Sequence, residues 1–302
     1  MIGGEGETLR VAGVRITSPD KVLWPEQGVT KRALVEYYVA VEQSVLPRLV
    51  DRPLTLVRCP SGTGDRCFYQ KHANESMPGS IPRIRIEEED GSEPYMYVNG
   101  LEALLGLVQL GTLEFHIWGS RRDRLERPDR LVFDLDPDED LPFGRVASAA
   151  VRLRGALTEL GLECWPKSSG GKGLHVVVPI TRRNSWEEAK AFTGALARRL
   201  ASEDPASFTA SVSKRRREGR IFIDYLRNAW NATAIAEYST RARPGAPVAV
   251  PLSWDEVNPR ARKPHVFTIR DVPGRVAEIG DPWDGFEAAR QSITKEMLAA
   301  VT

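Results

Sequence analysis

Two acidic residues inside a strongly apolar segment place the tightest constraint on how this chain folds. Residues 130–140 read RLVFDLDPDED, and the first half of this segment is predicted to be a buried β-strand. Alternate side chains of a strand share one face, so Asp134 and Asp136 lie on one side, with Phe133 and Leu135 on the other. A buried, unpaired carboxylate is strongly unfavourable, and a divalent cation relieves the repulsion between two of them. The pair therefore indicates a metal site, and an exposed acidic strand end is the alternative.

A third aspartate follows another apolar run. Residues 220–225 read RIFIDY, which predicts a strand with Asp224 near its end. Three carboxylates that converge at the ends of neighbouring strands can hold two Mg²⁺ or Mn²⁺ ions, as in two-metal sites. The alternative for Asp224 alone is a buried ion pair with a neighbouring arginine.

A glycine-rich segment separates these two acidic strands. Residues 167–175 read KSSGGKGLH and lead into a predicted strand that runs to Ile180. Glycines let backbone N–H groups approach an anion, while Ser169 adds a hydroxyl and Lys172 a positive charge. The spacing differs from that of a Walker A loop, and no helix follows. We interpret the segment as an anion-binding loop, with a flexible hairpin as the alternative; His175 either donates to a phosphate or caps the sheet.

Two further segments combine ring and charged side chains. In LEFHIW, Glu114, His116 and Trp118 share one face of a predicted strand, so His116 is either a core histidine or a ligand-binding one. Residues 66–72 (RCFYQKH) mix aromatic and basic side chains, as base-stacking surfaces do. Core packing of Phe68 or Tyr69 is the alternative for that segment.

Composition removes some classes of protein and leaves nucleic-acid binding open. The net charge of the 302-residue chain is only +1, but basic residues cluster at 121–130 and 214–220, so a basic groove can accompany an acidic centre. No apolar run approaches the ~20 residues of a membrane span, and residues 1–10 lack the apolar core of a signal peptide. We therefore expect a cytoplasmic protein in which Cys59, Cys67 and Cys164 are reduced thiols.

The order of the predicted elements favours an α+β fold, because strands and helices mix without steady alternation. Residues 1–15 are predicted to be a flexible tail. Helices are predicted at 30–49, with Thr30 as N-cap, at 99–111, with Asn99 as N-cap, at 143–160 and at 185–201. Strands are predicted at 53–59, 81–89, 94–98, 113–118, 131–136, 174–180, 207–213 and 220–225.

Three motifs, taken in their order along the chain, resemble a known family. They are Asp134-Leu-Asp136, Ser169-Gly-Gly-Lys-Gly-Leu-His175 and Ile223-Asp224. Together they resemble the polymerase domain of bacterial DNA ligase D, in the archaeo-eukaryotic primase superfamily, over about residues 16–279. The resemblance implies a single primase-polymerase domain over residues 16–302, with mixed, largely antiparallel β-sheets flanked by helices. It also implies that the three aspartates hold two catalytic Mn²⁺ or Mg²⁺ ions.

The resemblance implies roles for residues outside the metal site as well. Contacts to the incoming nucleotide are implied for His116, Ser169, Lys172, His175 and Arg241. Binding of a DNA 5′-phosphate is implied for Ser18, Lys21 and Lys31, with better-known members carrying asparagine at the position of Ser18. Template or primer contacts are implied for Phe68, Tyr69, Lys71 and Arg217, with phenylalanine common at the position of Tyr69.

The function implied by the resemblance is DNA repair by end joining. Members of the family add nucleotides, templated or untemplated and preferably ribonucleotides, to 3′-hydroxyl ends at 5′-phosphorylated gaps and breaks. The implied partners are DNA, the Ku protein and a DNA ligase, in the bacterial cytoplasm at the nucleoid. A two-metal nuclease and a non-catalytic module that binds or bridges DNA ends are the alternative hypotheses. A nuclease needs the carboxylates but not a triphosphate-binding loop.

Overall fold

The computed structural model describes residues 8–75 and 77–302. The strands are β1 (Thr8–Val11), β2 (Val14–Thr17), β3 (Val22–Trp24), β4 (Val29–Thr30), β5 (Leu54–Arg58), β6 (Phe68–Gln70), β7 (Arg83–Glu88), β8 (Gly91–Met96), β9 (Thr112–Trp118), β10 (Arg130–Pro137), β11 (Trp165–Ser168), β12 (Leu174–Pro179), β13 (Phe208–Thr209), β14 (Ile221–Asp224) and β15 (Thr233–Ile235). The α-helices are α1 (Lys31–Ala40), α2 (Glu42–Leu49), α3 (Leu101–Gln109), α4 (Phe143–Glu159), α5 (Trp186–Glu203), α6 (Val272–Ile279) and α7 (Lys295–Val301).

The chain divides into two compact units, each with its own sheet. The first unit comprises the described part of Met1–Ile117 with Ile235–Ala249 and Phe267–Gly280. The second comprises Trp118–Ala234, Val250–Val266 and Asp281–Thr302. The single domain expected over residues 16–302 stays a prediction. In the described part of the chain, no helix has both the length and the apolar character needed to cross a membrane.

Five strands form the sheet of the second unit, in the order β11-β12-β10-β14-β13. The central strand β10 pairs antiparallel with β12 and β14, and only the short β13 runs parallel to its neighbour. Helices α4 and α5 pack against β10, and Phe133 and Leu135 of that strand are fully buried. The predicted α+β class with largely antiparallel sheets is confirmed.

An aromatic cluster covers part of the sheet in the second unit. Trp283 and Phe286 stack with ring centroids 4.6 Å apart and pack with Val132 and Val177, which lie opposite each other in the register of β10 and β12. Val132 shares its face with Asp134, two residues further along β10. The C-terminal segment therefore buries one end of the face that carries the acidic residues.

The first unit contains β5, β6 and most of β9, which belong to a sheet with the order β15-β9-β5-β6. Three hairpins, β1-β2, β3-β4 and β7-β8, accompany this sheet. Helix α1 begins where the sequence predicts it, because the Thr30 hydroxyl accepts a hydrogen bond from the backbone N–H of Ala33. The predicted hairpin around Asp90-Gly91 is likewise present as β7 and β8.

Several element boundaries differ from the prediction. The helix predicted over 30–49 is two helices, since the backbone of Val41 leaves the helical region with φ −103° and ψ 14°. The sequence does not reveal this break, because the periodic pattern of apolar residues continues across it. Gly100 rather than Asn99 occupies the N-cap of α3. The strand predicted over 207–213 shrinks to β13, and β11 was not predicted. The sequence does not indicate β11, because it contains Pro166 and proline is rare in strands.

The predicted N-terminal tail contains a hairpin in its described part. β1 and β2 pair antiparallel across Ala12-Gly13, and both turn residues have positive φ, 45° and 83°. Such a turn favours glycine and brings the two short strands together. Residues 1–7 of the expected tail lie outside the described residues.

The prediction of reduced thiols is wrong for two of the three cysteines. A disulfide joins Cys59 to Cys67, while Cys164 is free and buried. The pairing follows from the register of two antiparallel strands. Arg58 of β5 lies opposite Phe68 of β6, so the next residues outward, Cys59 and Cys67, face each other. Burial raises the pKa of the Cys164 thiol to about 12.

Two glycines of α4 predict opposite effects of the same substitution. A Cβ at Gly144 would lie 2.3 Å from the carbonyl oxygen of Pro259, whereas a Cβ at Gly155 would meet nothing within 4 Å. We expect Gly144→Ala to lower the free energy of unfolding by about 1–3 kcal/mol through overpacking. Gly155→Ala is expected to raise it by about 0.4–1 kcal/mol. Urea unfolding measures both, and equal effects at the two positions would contradict the close approach at Gly144.

Candidate active site

Three aspartates converge on one face of the sheet in the second unit. A ligand oxygen from each of Asp134, Asp136 and Asp224 lies within 4.8 Å of the others. The register explains this convergence, because Asp134 of β10 lies directly opposite Asp224 of β14. Asp136 follows two residues later on the same face. The cluster expected from the sequence is therefore present.

The charges of this triad are only partly compensated. Burial and the charge of Asp134 raise the pKa of Asp136 to about 6, and burial also raises the pKa of Asp224. Burial acts on Asp134 in the same direction, but His175 and Arg227 outweigh it and hold the pKa of Asp134 well below its ordinary value. Burial and the neighbouring charge of Asp134 thus both favour the protonated form of these two carboxyls.

The donor set suits a hard divalent cation. Carboxylate oxygens are the ligands that Mg²⁺ and Mn²⁺ prefer. The excess negative charge of the triad is what such a cation would neutralise. The residues present therefore fit the metal centre that the sequence predicts.

An arginine that the sequence analysis did not name lies against the triad. The Arg227 Nη2 lies 3.2 Å from Oδ2 of Asp134 and 3.2 Å from Oδ2 of Asp224, and its Nε donates to Asp134 Oδ2 at 3.3 Å. A 3-10 turn over Leu226–Asn228 carries it, and the Leu226 N–H donates to Asp224 Oδ1 at 2.9 Å. Both interpretations of Asp224, as a member of an acidic cluster and as an ion-pair partner, therefore hold. An arginine three residues after an aspartate at a strand end is the signal that could have found it.

Asn228 fixes the strand that carries two of the aspartates. Its side-chain amide accepts from the Val132 N–H and donates to the Val132 carbonyl, at 2.7 Å in both cases. It also donates to the Tyr225 carbonyl at 2.9 Å. The amide thus holds the backbone of β10 two residues before Asp134. Nothing in the sequence pattern indicated this role.

His175 belongs to a row of charged and polar residues across the sheet. In the register, Lys167 of β11, His175 of β12, Asp134 of β10 and Asp224 of β14 lie opposite one another in turn. The His175 Nε2 lies 3.3 Å from Asp134 Oδ1, and its residue is only 3% exposed. Burial lowers the pKa of His175, whose Nε2 donates to the Asp134 carboxylate. The structure therefore places His175 against a candidate metal ligand.

The glycine-rich loop joins β11 to β12 beside the triad. The Ser169 N–H donates to the Gly173 carbonyl at 3.1 Å, which closes the hairpin that was the alternative interpretation. A Cβ at Gly173 would lie 3.0 Å from the Leu135 carbonyl and 3.8 Å from Asp136 Oδ1, so only glycine lets the loop lie this close to β10. Lys172 is exposed on the loop, and its Nζ donates to the Glu139 carbonyl at 2.8 Å.

Arg217 brings the basic segment 214–220 to the same face. Its guanidinium carbon lies 3.8 Å from the ring centroid of Phe222, and its Nη2 donates to the Val212 carbonyl at 3.0 Å. Phe222 lies opposite Asp136 in the register. The charge of Arg217 also lowers the pKa of Asp136, against the larger effect of burial.

A second polar cluster lies in the first unit, around Glu114. Its Oε2 accepts from His116 Nε2 at 2.8 Å and forms an ion pair with Arg241, whose Nε lies 3.1 Å away, and its Oε1 accepts from the Ala242 N–H at 2.8 Å. Burial raises the pKa of Glu114, but the hydrogen bond from His116 and the charge of Arg241 outweigh this effect and bring it to about 2. Sequence analysis selected His116 and Arg241 and missed the carboxylate that joins them.

The three residues expected to bind a 5′-phosphate surround one turn of the first unit. The Ser18 carbonyl accepts from the Lys21 N–H at 3.1 Å, and the Lys21 carbonyl accepts from the Lys31 N–H at 2.9 Å. The Lys31 Nζ donates to the Thr17 carbonyl at 2.7 Å. Burial and the charge of Lys21 both lower the pKa of Lys31. Because Lys21 and Lys31 lie close enough to repel each other, an anion bound between them would be stabilised.

The aromatic pair Phe68 and Tyr69 lies at the surface of the first unit. The two residues are 40% and 74% exposed, which excludes the core-packing alternative. The Tyr69 ring centroid lies 6.3 Å from that of His116. Lys71, which is expected to contact DNA, forms an ion pair with Glu88 at 2.7 Å.

The predicted site residues thus fall into separate groups. The second unit brings together Asp134, Asp136, Asp224, Ser169, Lys172, His175 and Arg217. The first unit holds His116 and Arg241 around Glu114, the turn with Ser18, Lys21 and Lys31, and the aromatic pair with Lys71.

Comparisons with known proteins agree on one family. The family model of the LigD primase-polymerase domain matches residues 30–283. The chain is 40% identical, over 95% of its length, to the multifunctional non-homologous end joining protein LigD of Pseudomonas aeruginosa, and it spans 34% of that protein. It is 31% identical, over 90% of its length, to the bifunctional LigD of Bacillus subtilis and spans 44% of it.

A solved structure leads to the same family. The polymerase domain of Mycobacterium tuberculosis ligase D, solved in complex with DNA, superposes with a TM-score of 0.85 at 31% identity. The match covers 91% of this chain and 98% of that domain. The chain therefore belongs to the LigD primase-polymerase domain family, and it is a nucleotidyltransferase of the primase-polymerase type.

Proposed function

We propose that this chain is a DNA end-joining polymerase that adds nucleotides, preferably ribonucleotides, to 3′-hydroxyl ends at 5′-phosphorylated gaps and breaks. The observation that carries the proposal is the acidic triad with a glycine-rich, lysine-bearing loop packed beside it. A triad alone suits several kinds of phosphoryl chemistry. The adjacent loop adds the backbone N–H groups and the positive charge that a triphosphate requires.

In this proposal Asp134, Asp136 and Asp224 hold two divalent cations, Mn²⁺ or Mg²⁺. Bound there, such cations would activate the primer 3′-hydroxyl and neutralise charge at the α-phosphate. His175 donates to Asp134 and fixes its orientation. Lys172 exchanges its contact with the Glu139 carbonyl for the β- and γ-phosphates, and Ser169 contributes hydrogen bonds from the loop.

The cluster around Glu114 supplies further nucleotide contacts in the proposal. His116 and Arg241 bind the incoming nucleotide, each held by the same buried carboxylate. Because Glu114 contacts both His116 and Arg241, it restricts the rotamers of the two side chains. Preorganised donors stabilise developing charge better than mobile ones.

The proposed DNA contacts lie on residues with exposed rings or positive charge. Ser18, Lys21 and Lys31 bind the 5′-phosphate, Phe68 and Tyr69 stack on the template with Lys71 nearby, and Arg217 contacts the primer end. Support comes from the M. tuberculosis polymerase domain, which was solved with DNA. The names of the relatives place them in non-homologous end joining, so we further propose Ku and a DNA ligase as partners.

The first prediction separates polymerase from nuclease and from a non-catalytic module. On a labelled gapped duplex with a 5′-phosphate and Mn²⁺, the protein should extend the primer only when NTP is added, and more efficiently with ATP than with dATP. Asp136→Asn should reduce extension by about 100-fold or more, because one metal ligand is lost. Primer shortening would support the nuclease, and binding without any reaction would support the non-catalytic module.

Asp140→Asn is the matched control for that experiment. Asp140 is exposed in the loop after β10, outside the triad. It should keep wild-type extension, and an equal loss in both variants would contradict the assignment of the triad.

The second prediction concerns the 5′-phosphate. Lys21→Ala should weaken binding to a 5′-phosphorylated gap by about tenfold, because one charge-assisted hydrogen bond is lost. Binding to the same gap with a 5′-hydroxyl should change little. Fluorescence anisotropy measures both affinities, with Lys190→Ala, an exposed lysine on α5, as the control for charge alone. Equal losses on the two DNAs would reject the pocket.

The third prediction follows from the lowered pKa of Glu114. A carboxyl with a folded-state pKa of about 2 and an ordinary value of 4.5 stabilises the fold above pH 4.5, and that stability disappears as the pH falls towards 2. Glu114→Gln should therefore lower the free energy of unfolding by about 3 kcal/mol at neutral pH. The difference from wild type should shrink between pH 4.5 and pH 2 in urea unfolding.

The exposed Glu36→Gln variant is the control in the first unit. A Glu114→Gln deficit that stayed constant across this pH window would mean that packing, and not the charge of the carboxylate, is what Glu114 contributes.

A further inference from the structure

We propose that Arg227 is a built-in counter-ion of the acidic triad and that a divalent cation displaces it on binding. Its Nη2 lies 3.2 Å from an oxygen of Asp134 and 3.2 Å from an oxygen of Asp224. The inference rests on the proposed function, in which those aspartates are metal ligands. It assigns Arg227 a positioning role in metal loading, one that the sequence motifs do not include.

The hydrogen bonds of the triad leave few oxygens free. Asp134 Oδ1 contacts His175, and its Oδ2 accepts from Arg227. Asp224 Oδ1 accepts from the Leu226 N–H, and its Oδ2 forms an ion pair with Arg227. Of these three aspartates, all in the described part of the chain, Asp136 alone accepts no hydrogen bond at its carboxylate. A cation that binds all three aspartates therefore meets Arg227 on two of them.

The Arg227 guanidinium and a divalent cation cannot both lie at the oxygens of Asp134 and Asp224, because both are positively charged. The guanidinium nitrogen lies 3.2 Å from the carboxylate oxygens that a cation would use, and a cation at ligand distance from the same oxygens would lie close to it. Two positive groups at such separation repel strongly in partly buried surroundings. Arg227 must therefore move away as the cation enters.

Exposure indicates which contact gives way. The Arg227 side chain is 38% exposed, while those of Asp134 and Asp224 are about one-tenth exposed. His175, the other contact of Asp134, is buried. A long, half-exposed side chain on a short turn can rotate into solvent without disturbing the sheet, and the buried histidine cannot. When the cation binds, the contact between His175 and Asp134 is kept, and the contacts of Arg227 with Asp134 and Asp224 are replaced by contacts with the cation.

Removing the charge of Arg227 tests the exchange. Arg227→Met should raise Mn²⁺ affinity by on the order of tenfold or more, because no positive group competes for the oxygens. The same variant in EDTA should melt about 4 °C or more below wild type, because the carboxylates lose their counter-ion. Saturating Mn²⁺ should bring the melting temperature of the variant most of the way back to that of wild type. Electron paramagnetic resonance measures free Mn²⁺ in the titration, and circular dichroism measures melting.

Three further variants make the result specific. Arg227→Lys keeps the charge and should bind Mn²⁺ within about threefold of wild type. Arg227→Gln keeps the polarity without the charge and should behave like the methionine variant, which provides a second neutral variant if one fails to fold. Arg216→Met removes an exposed positive charge from segment 214–220 and should change neither quantity by more than about twofold in affinity or 1 °C.

The outcomes distinguish this inference from the proposed function. If wild type binds Mn²⁺ and the neutral variants bind it equally or more weakly, Arg227 is not a competing counter-ion and the inference is overturned. The same holds if Arg227→Lys binds as tightly as Arg227→Met. If neither wild type nor Asp136→Asn binds Mn²⁺, the metal site itself fails, and with it the proposed polymerase mechanism.

Discussion

Mutual repulsion among three clustered carboxylates, two buried and one partly buried, is the constraint on which the rest of the site depends. Burial raises the pKa values of Asp136 and Asp224, and the charge of Asp134 raises both further. Every positive or donating group that faces the triad reduces this repulsion. Arg227, His175 and Arg217 reach it from three different elements. A sheet that concentrates negative charge in this way is stable only because the surrounding loops return positive charge to the same face.

The centre of that sheet was predictable because its signals are local. The period of two along β10 placed Asp134 and Asp136 on one face before any strand pairing was known. An apolar strand that ends in Asp224 supplied the third carboxylate. The glycine-rich segment was recognisable from its composition. Each inference used fewer than ten neighbouring residues, the range over which backbone geometry alone decides where a side chain lies.

The missed features depend on contacts between distant segments. Cys59 and Cys67 pair because β5 and β6 are antiparallel in one particular register, and register cannot be read from either strand alone. The role of Glu114 depends on its contact with Arg241, which lies more than a hundred residues further along the chain. The break at Val41 was invisible because an apolar stripe continues across it. Arg227 was missed because its position depends on a turn, and turns are specified by a few residues of weak preference.

The side-chain amide of Asn228 has a consequence for how the chain leaves the site. It takes over the hydrogen bonds to Val132 that a longer β14 would have made. The strand can therefore stop at Asp224 without leaving a gap in the ladder. Had β14 continued, residue 227 would lie about 10 Å further along and on the opposite face of the sheet. Asn228 thus allows the chain to turn directly after β14, and this turn brings Arg227 back to Asp224.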